Sequence, residues 1–215
     1  MSLKIHGIAA SRASRPLWVA LELGLAFEHV PLHYKDGATH TPEFLALNPN
    51  GHIPVLQDEG VVVWESMACA LYLADNYKGS DGLNLAAQTK AESAEILRWT
   101  FWVVTECEKD ALTILMHTLV MPADRRKPEL AAEAARRLTG PLRVIEQHLA
   151  GQSAGAAYLA GERFTVADIA VASVLAWIKP APELLAACPA TSTWLARCLD
   201  RPAHAASNFA ARDWI

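Results

Sequence analysis

The amino-acid sequence predicts an α+β protein in two parts: a small domain of order β-α-β-α-β-β-α, followed by an all-helical domain. Two observations lead to this prediction. The first 78 residues mix strand-like alternation with helical spacing. After the short Gly-Ser-Asp-Gly segment at 79–82, nothing strand-like remains, and alanine-rich helical patterns run to the end. We therefore assign residues 1–78 to the first domain, 79–87 to a linker and 88–215 to the second domain.

The elements of the first domain follow from hydrophobic spacing and turn residues. Apolar residues alternate in the strand segments and recur at helical spacing in the helix segments. Asp58 and Gly60 favour a tight hairpin turn. The predicted elements, in chain order, are a strand at 3–8, a helix at 14–25, a strand at 27–33, a helix at 42–47, a hairpin of strands 54–57 and 61–64, and a helix at 65–78. The right-handed crossover rule makes the first two strands parallel, and the hairpin adds antiparallel strands.

The second domain is predicted to be helical throughout. Its helices are expected at 91–119, 128–149, 166–178 and 191–199. The helix that begins at Val166 carries a strong start signal, because Thr165 precedes it and Asp168 follows three residues later. This spacing predicts a capping box, in which each of these two side chains binds the other residue's backbone N–H. We expect Asp168 to stabilise the fold and assign it no catalytic role.

Composition excludes several classes of protein. A chain with 52% hydrophobic residues can bury an ample core, and its four cysteines are scattered without a Cys-x-x-Cys pair, which favours reduced thiols and a cytoplasmic location. The chain leads straight into a strand, so we expect no signal peptide. The longest apolar run, 169–178, is too short for a membrane span. A net charge of −4 argues against a nucleic-acid partner.

Two conventional site motifs are weak. Residues 151–155 match G-x-S-x-G, the nucleophile elbow of serine hydrolases, but they follow a helix, whereas that elbow requires a strand-to-helix turn. His29 and His33 would share a strand face, but no third metal ligand accompanies them. We therefore predict no metal site, and a hydrolase is the weakest of the functional hypotheses.

The turn between the first strand and the first helix is the better candidate. A thioredoxin-like redox protein with this element order carries Cys-x-x-Cys there, whereas this chain has Ser11-Arg12-Ala13-Ser14. Disulfide exchange at this turn is therefore excluded. A hydroxyl close to a helix N-terminus favours a bound anion. We assign that role to Ser11 and expect Ser14 to cap a helix beginning at Arg15, while keeping both serines as candidates.

Two further segments point to an extended ligand with an amino-acid end. Pro54 cannot donate a hydrogen bond to a neighbouring strand, so Ile53 beside it can turn its backbone N–H and C=O towards a ligand. We expect a cis bond between them. Glu65 and Ser66 open a helix, where Ser66 can bind a carboxylate and Glu65 can accept from an ammonium group.

The segments NPNGHIPVLQDEGVVVWES and GERFTVADIAVAS resemble the glutathione S-transferase family, and the resemblance covers nearly the whole chain. It implies a thioredoxin-like first domain and glutathione as co-substrate. Ile53 would then pair with the cysteinyl backbone beside a cis Pro54, and Glu65 and Ser66 would hold the γ-glutamyl group. His52 and His40 lie where theta- and delta-like relatives place side chains near the glycine carboxylate, with His40 displaced by about one position.

Departures from the family pattern narrow the expected mechanism. No tyrosine precedes Tyr34 and no cysteine precedes Cys69, which leaves a serine-type enzyme. The resemblance implies a theta- or delta-like cytosolic transferase of bacterial style. Ser11 would stabilise the glutathione thiolate, which attacks a small hydrophobic electrophile. The electrophile would lie between the domains, and its candidate contacts are Trp99, Trp102, Met116 and His117. The resemblance further implies a homodimer. A glutathione-binding carrier without catalysis, or peroxidase, isomerase or dehalogenase chemistry, stays open.

Overall fold

The computed structural model describes residues 3–152 and 157–207. Contacts divide the chain into two compact units, and the first of them contains a four-stranded sheet. Its strands are β1 (Lys4–His6), β2 (Glu28–Val30), β3 (Val55–Asp58) and β4 (Val61–Trp64), and its first helices are α1 (Ser14–Glu22), α2 (Pro42–Leu47) and α3 (Ser66–Asn76). The order β-α-β-α-β-β-α is the predicted one, and the thioredoxin-like fold is confirmed.

The sheet has the strand order β2-β1-β3-β4. As predicted, β1 and β2 are parallel, while β3 runs antiparallel to both β1 and β4. Asp58 pairs with Val61, so the hairpin turn has two central residues rather than the three predicted. Both of them, Glu59 and Gly60, have positive φ angles of 47° and 89°, which suits the right-handed twist of the flanking strands.

The second unit is helical. Residues 90–120 form one interrupted helix, because π-helical turns at Val103–Cys107 and Met116–Val120 follow its two α-helical stretches. Its α-helices are α4 (Lys90–Trp102), α5 (Glu108–Leu115), α6 (Pro128–Ala150), α7 (Val166–Leu175), α8 (Pro182–Ala186) and α9 (Pro189–Leu199). The four predicted helices are all present, and α8 is an addition. Among the described residues, no helix is long and apolar enough to cross a membrane.

The capping box at the start of α7 is confirmed and extends further than predicted. The Asp168 carboxylate, which is fully buried, accepts hydrogen bonds from the backbone N–H of Thr165 at 2.9 Å and of Leu159 at 3.1 Å. The Trp194 indole N–H donates to it as well, at 2.9 Å. Burial raises the pKa of Asp168 to about 6, although the surrounding donors favour its ionised form. Asp168 thus joins α7, α9 and the loop before α7.

The structural division of the chain differs from the predicted domains at two places. The first unit continues to Ala86, through most of the predicted linker, and it also includes α10 (Pro202–Ser207). This helix packs against α1. The Glu22 carboxylate accepts from the Trp18 indole at 3.1 Å and from the Arg201 guanidinium at 2.8 Å. These bonds explain why residues 201–207 group with the first unit.

Candidate functional site

The turn that carries the two serines lies between β1 and α1. Ser11 is half-buried, and its hydroxyl donates to the Ile8 carbonyl at 2.7 Å and accepts from the Ala13 N–H at 3.1 Å. These two bonds fix the position of the Ser11 oxygen. The hydroxyl proton, however, faces the Ile8 carbonyl. It must turn away from that carbonyl before it can reach a bound anion.

The prediction that Ser14 caps the first helix is wrong. The helix begins at Ser14 itself, and the preceding Ala13 is already helical, with φ −64° and ψ −19°. An N-cap residue normally has extended backbone, which lets its side chain reach the N–H groups ahead. Because the turn is already helical, no such side-chain bond forms. Within residues 3–152 and 157–207, the Ser14 hydroxyl makes no hydrogen bond.

Ile53 lies directly beside this serine turn. The Ile53–Pro54 bond is cis, as predicted, and β3 begins only at Val55. No hydrogen bond joins the Ile53 backbone N–H or C=O to another described residue. A Cβ atom on Gly7 would lie 2.9 Å from the Ala13 Cβ and 3.0 Å from the Ile53 Cβ. Glycine at position 7 therefore allows the turn and Ile53 to approach each other, and a ligand along Ile53 would lie near the serines.

A loop anchored by Asn48 presents the two candidate histidines. The buried Asn48 amide donates to the His52 carbonyl at 2.8 Å, and its oxygen accepts from the Asn50 N–H at 3.0 Å. His40 lies against the same loop, since its Nε2 would be 3.3 Å from a Cβ on Gly51. The His40 and His52 side chains are both exposed. Their loop leads directly into Ile53, so both can meet one end of an extended ligand.

The third candidate pair opens α3. Glu65 has a positive φ of 72°, a conformation that a non-glycine residue adopts only under constraint. Ser66 is the first residue of α3, and its hydroxyl, which is buried, accepts from Nη1 of Arg15 at 2.7 Å. Arg15 was not among the site residues predicted from the sequence. It is the one charged residue among the six buried residues of α1. A charged residue on the apolar face of a predicted helix could therefore have indicated it from the sequence.

Of the four residues predicted to contact the electrophile, one is buried in the structure and three are half-buried. Trp99 is buried, and its ring lies 5.0 Å from that of Trp102 and 4.8 Å from that of His148. Trp102 is half-buried. Met116 and His117 are also half-buried and lie in the second π-helical turn. Trp99 is therefore part of the core of the second unit.

Cysteine and metal chemistry find no support in the described residues. Burial raises the pKa of both Cys69 and Cys107 to about 12, so neither is a thiolate at neutral pH. No cluster of three or more metal-binding side chains occurs among those residues. The Nε2–H of His29 donates to the Gly7 carbonyl at 2.8 Å, and Nδ1 of His33 accepts from the Lys35 N–H at 2.9 Å. Ser153, the centre of the G-x-S-x-G match, lies outside the described residues.

Comparison with known proteins identifies the family. The model of the glutathione S-transferase N-terminal domain matches residues 1–75, and that of the C-terminal domain matches residues 109–202. Together these matches span most of the chain. The chain therefore belongs to the glutathione S-transferase family, and the expectation of a transferase of this family is confirmed.

The similar proteins include two glutathione S-transferases and a translation factor. Glutathione S-transferase 3 of Zea mays is 36% identical over 207 residues, which cover 94% of this chain and 90% of that protein. The theta-class glutathione S-transferase of Xanthomonas axonopodis, solved with glutathione bound, has a TM-score of 0.82 and 30% identity, with 96% of each chain covered. Elongation factor 1-gamma of Sus scrofa is 31% identical over 178 residues, which cover 80% of this chain but only 38% of that protein.

Proposed function

We propose that this protein is a glutathione transferase that holds glutathione along Ile53 and activates its thiol beside Ser11. The observation that carries this proposal is the unpaired backbone of Ile53, which is adjacent to the serine turn. An extended peptide can pair with such a backbone as an added strand would. Ser66 at the start of α3 is suited to the γ-glutamyl carboxylate, and His40 and His52 to the glycine carboxylate. The glutathione-bound theta-class structure supports the same ligand.

Thiol activation needs only a hydrogen-bond donor. A free thiol has a pKa of ~8.5, and a hydrogen bond to the thiolate stabilises it by ~1.5–3 kcal/mol. Turning the Ser11 hydroxyl away from the Ile8 carbonyl costs about 0.5–1.5 kcal/mol. The N-terminus of α1 adds ~0.3–1 kcal/mol. The bond to the thiolate and the helix N-terminus, less the cost of turning the hydroxyl, together lower the thiol pKa by about one to two units. No general base is therefore required.

Binding of the γ-glutamyl group gives a first test. Ser66→Ala, and likewise Glu65→Ala, is expected to raise the KM for glutathione by about tenfold, because one lost hydrogen bond to a charged group costs ~1.5 kcal/mol or more. The kcat should change little, since these residues hold a part of glutathione remote from the sulfur. Steady-state kinetics test this, with Ser80→Ala, at an exposed position of the same unit, as the control. A fall in kcat at unchanged KM would contradict the assignment.

The finer features of the enzyme are part of the same proposal. A theta- or delta-like, serine-type enzyme is part of this proposal; the theta-class structure, 30% identical, supports it no more strongly than plant transferases of 30–36% identity do. We propose a small hydrophobic electrophile that contacts Trp102, Met116 and His117, with Trp99 supporting them from the core. We further propose that the protein is a homodimer, that it acts in the cytoplasm and that it uses no metal. Peroxidase, isomerase and dehalogenase reactions are alternatives that would use the same activated thiolate. Each is tested with a substrate of its own type, such as a hydroperoxide for the peroxidase reaction.

A second candidate function is a glutathione-binding protein without catalysis. The similarity to elongation factor 1-gamma favours this alternative, since that name denotes a translation factor. Retention on immobilised glutathione is expected from both candidates. Turnover of 1-chloro-2,4-dinitrobenzene or of a hydroperoxide is expected only from an enzyme. Retention without turnover of any member of an electrophile panel would support the second candidate, and failure to be retained would contradict both.

A further inference from the structure

Arg15 and Ser66 form a buried contact between α1 and α3 that the proposed activity does not yet explain. Arg15 is 2% exposed and Ser66 is 5% exposed. Arg15 lies in the first turn of α1, next to the serine turn, and Ser66 is the first residue of α3. Nη1 of Arg15 lies 2.7 Å from the Ser66 oxygen. A guanidinium has no acceptor, so the direction of this bond is certain: Arg15 donates and Ser66 accepts.

This direction determines what the Ser66 hydroxyl offers to a ligand. Because its oxygen accepts from Arg15, its proton points elsewhere, and no acceptor for that proton is present among the described residues. The backbone N–H groups of the first turn of α3 are free of intrahelical partners and carry the positive end of the helix dipole. A buried cation, a hydroxyl proton and a helix N-terminus thus meet at one place. All three favour an anion.

We propose that Arg15 is a positioning residue for carboxylate recognition, which acts through Ser66. It orients the Ser66 hydroxyl as a donor towards the α-carboxylate of the γ-glutamyl group. The proposal rests on the proposed glutathione site, and it adds a selectivity: the contribution of Arg15 appears only with ligands that carry this carboxylate. A residue that merely held α1 against α3 would affect all ligands alike.

The test compares two ligands on the full-length protein by calorimetry. Glutathione is compared with 4-aminobutanoyl-cysteinylglycine, which is glutathione without that carboxylate. Arg15→Gln is expected to raise the Kd of glutathione by about tenfold and the Kd of the analogue by less than about twofold. In a Ser66→Ala background, the effect of Arg15→Gln on glutathione should shrink to about twofold or less. Arg15→Lys, which keeps the charge, should fall between the wild type and Arg15→Gln. Arg12→Gln removes an exposed charge from the same turn and controls for long-range electrostatics.

Each outcome decides a different claim. If the wild type does not bind glutathione, the proposed function fails and this inference fails with it. If the wild type binds glutathione but Arg15→Gln weakens both ligands equally, or neither, the positioning role is overturned while the proposed function stands. An equal effect of Arg12→Gln would also overturn it. Should Arg15→Gln fail to fold, Arg15→Lys replaces it in the test. For each ligand, the Kd of Arg15→Lys is divided by the Kd of the wild type. A structural role predicts the same ratio for both ligands, whereas the positioning role predicts a larger ratio for glutathione.

Discussion

Replacing Ser11 by alanine is expected to raise the pKa of bound glutathione by about one unit, because the thiolate loses its side-chain donor. The net effect is smaller than the ~1.5–3 kcal/mol of the bond itself, since the wild-type hydroxyl must first leave the Ile8 carbonyl. Glutathione affinity should change little, because the backbone of Ile53 and the start of α3 hold the rest of the ligand. Thiolate absorbance of the glutathione complex against pH measures the shift.

Ser14→Ala is the matched control for this experiment. Both serines are half-buried in the same turn, but the Ser14 hydroxyl makes no hydrogen bond within the described part of the chain and does not cap α1. We expect Ser14→Ala to leave both the thiolate titration and the stability unchanged. If Ser14→Ala moves the titration and Ser11→Ala does not, the assignment is reversed. If neither variant moves it, backbone donors carry the activation.

Asp168→Asn is expected to destabilise the protein strongly although the two side chains have the same shape. Each carboxylate oxygen of Asp168 accepts two hydrogen bonds: one oxygen from the Leu159 N–H and the Trp194 indole, the other from the N–H and hydroxyl of Thr165. An amide nitrogen in either place would face two donors. Each buried donor left without an acceptor costs about 1–3 kcal/mol, so we expect a loss of about 2–6 kcal/mol in the free energy of unfolding.

Urea unfolding at neutral pH tests this, and activity per folded molecule should stay near that of the wild type. Asp200→Asn is the control, because it makes the same change at an exposed carboxylate in the same unit. Its free energy of unfolding should differ little from that of the wild type. A stable but inactive Asp168→Asn protein would contradict the structural role and would indicate a direct part in catalysis.

Much of the fold could be predicted because the signals are local. Alternation and helical spacing predicted the order of elements in the first unit, and Thr165 with Asp168 predicted the start of α7. The short helix α8, Pro182–Ala186, was not predicted, because five residues are too few to show a helical repeat. The two π-helical turns also went unpredicted, since each spans only five residues, too few for its hydrogen-bonding pattern to be read from residue spacing.

The site was harder to predict where it depends on backbone geometry or on distant contacts. The lack of a strand partner at Ile53 follows from the proline after it, so the sequence indicated it. The role of Ser14 depended on whether Ala13 is extended or helical, which no side chain in the turn determines. The contact of Arg15 with Ser66 joins residues 51 positions apart, and no local pattern reveals such a pair.

The proposed function requires that this protein binds glutathione and holds it as a thiolate. The most direct test is a pH titration of the thiolate absorbance of glutathione bound to the wild-type protein. We predict a midpoint about one to two units below the ~8.5 of a free thiol. A midpoint at the value of free glutathione, measured with the ligand shown to be bound, would contradict the proposed thiolate activation.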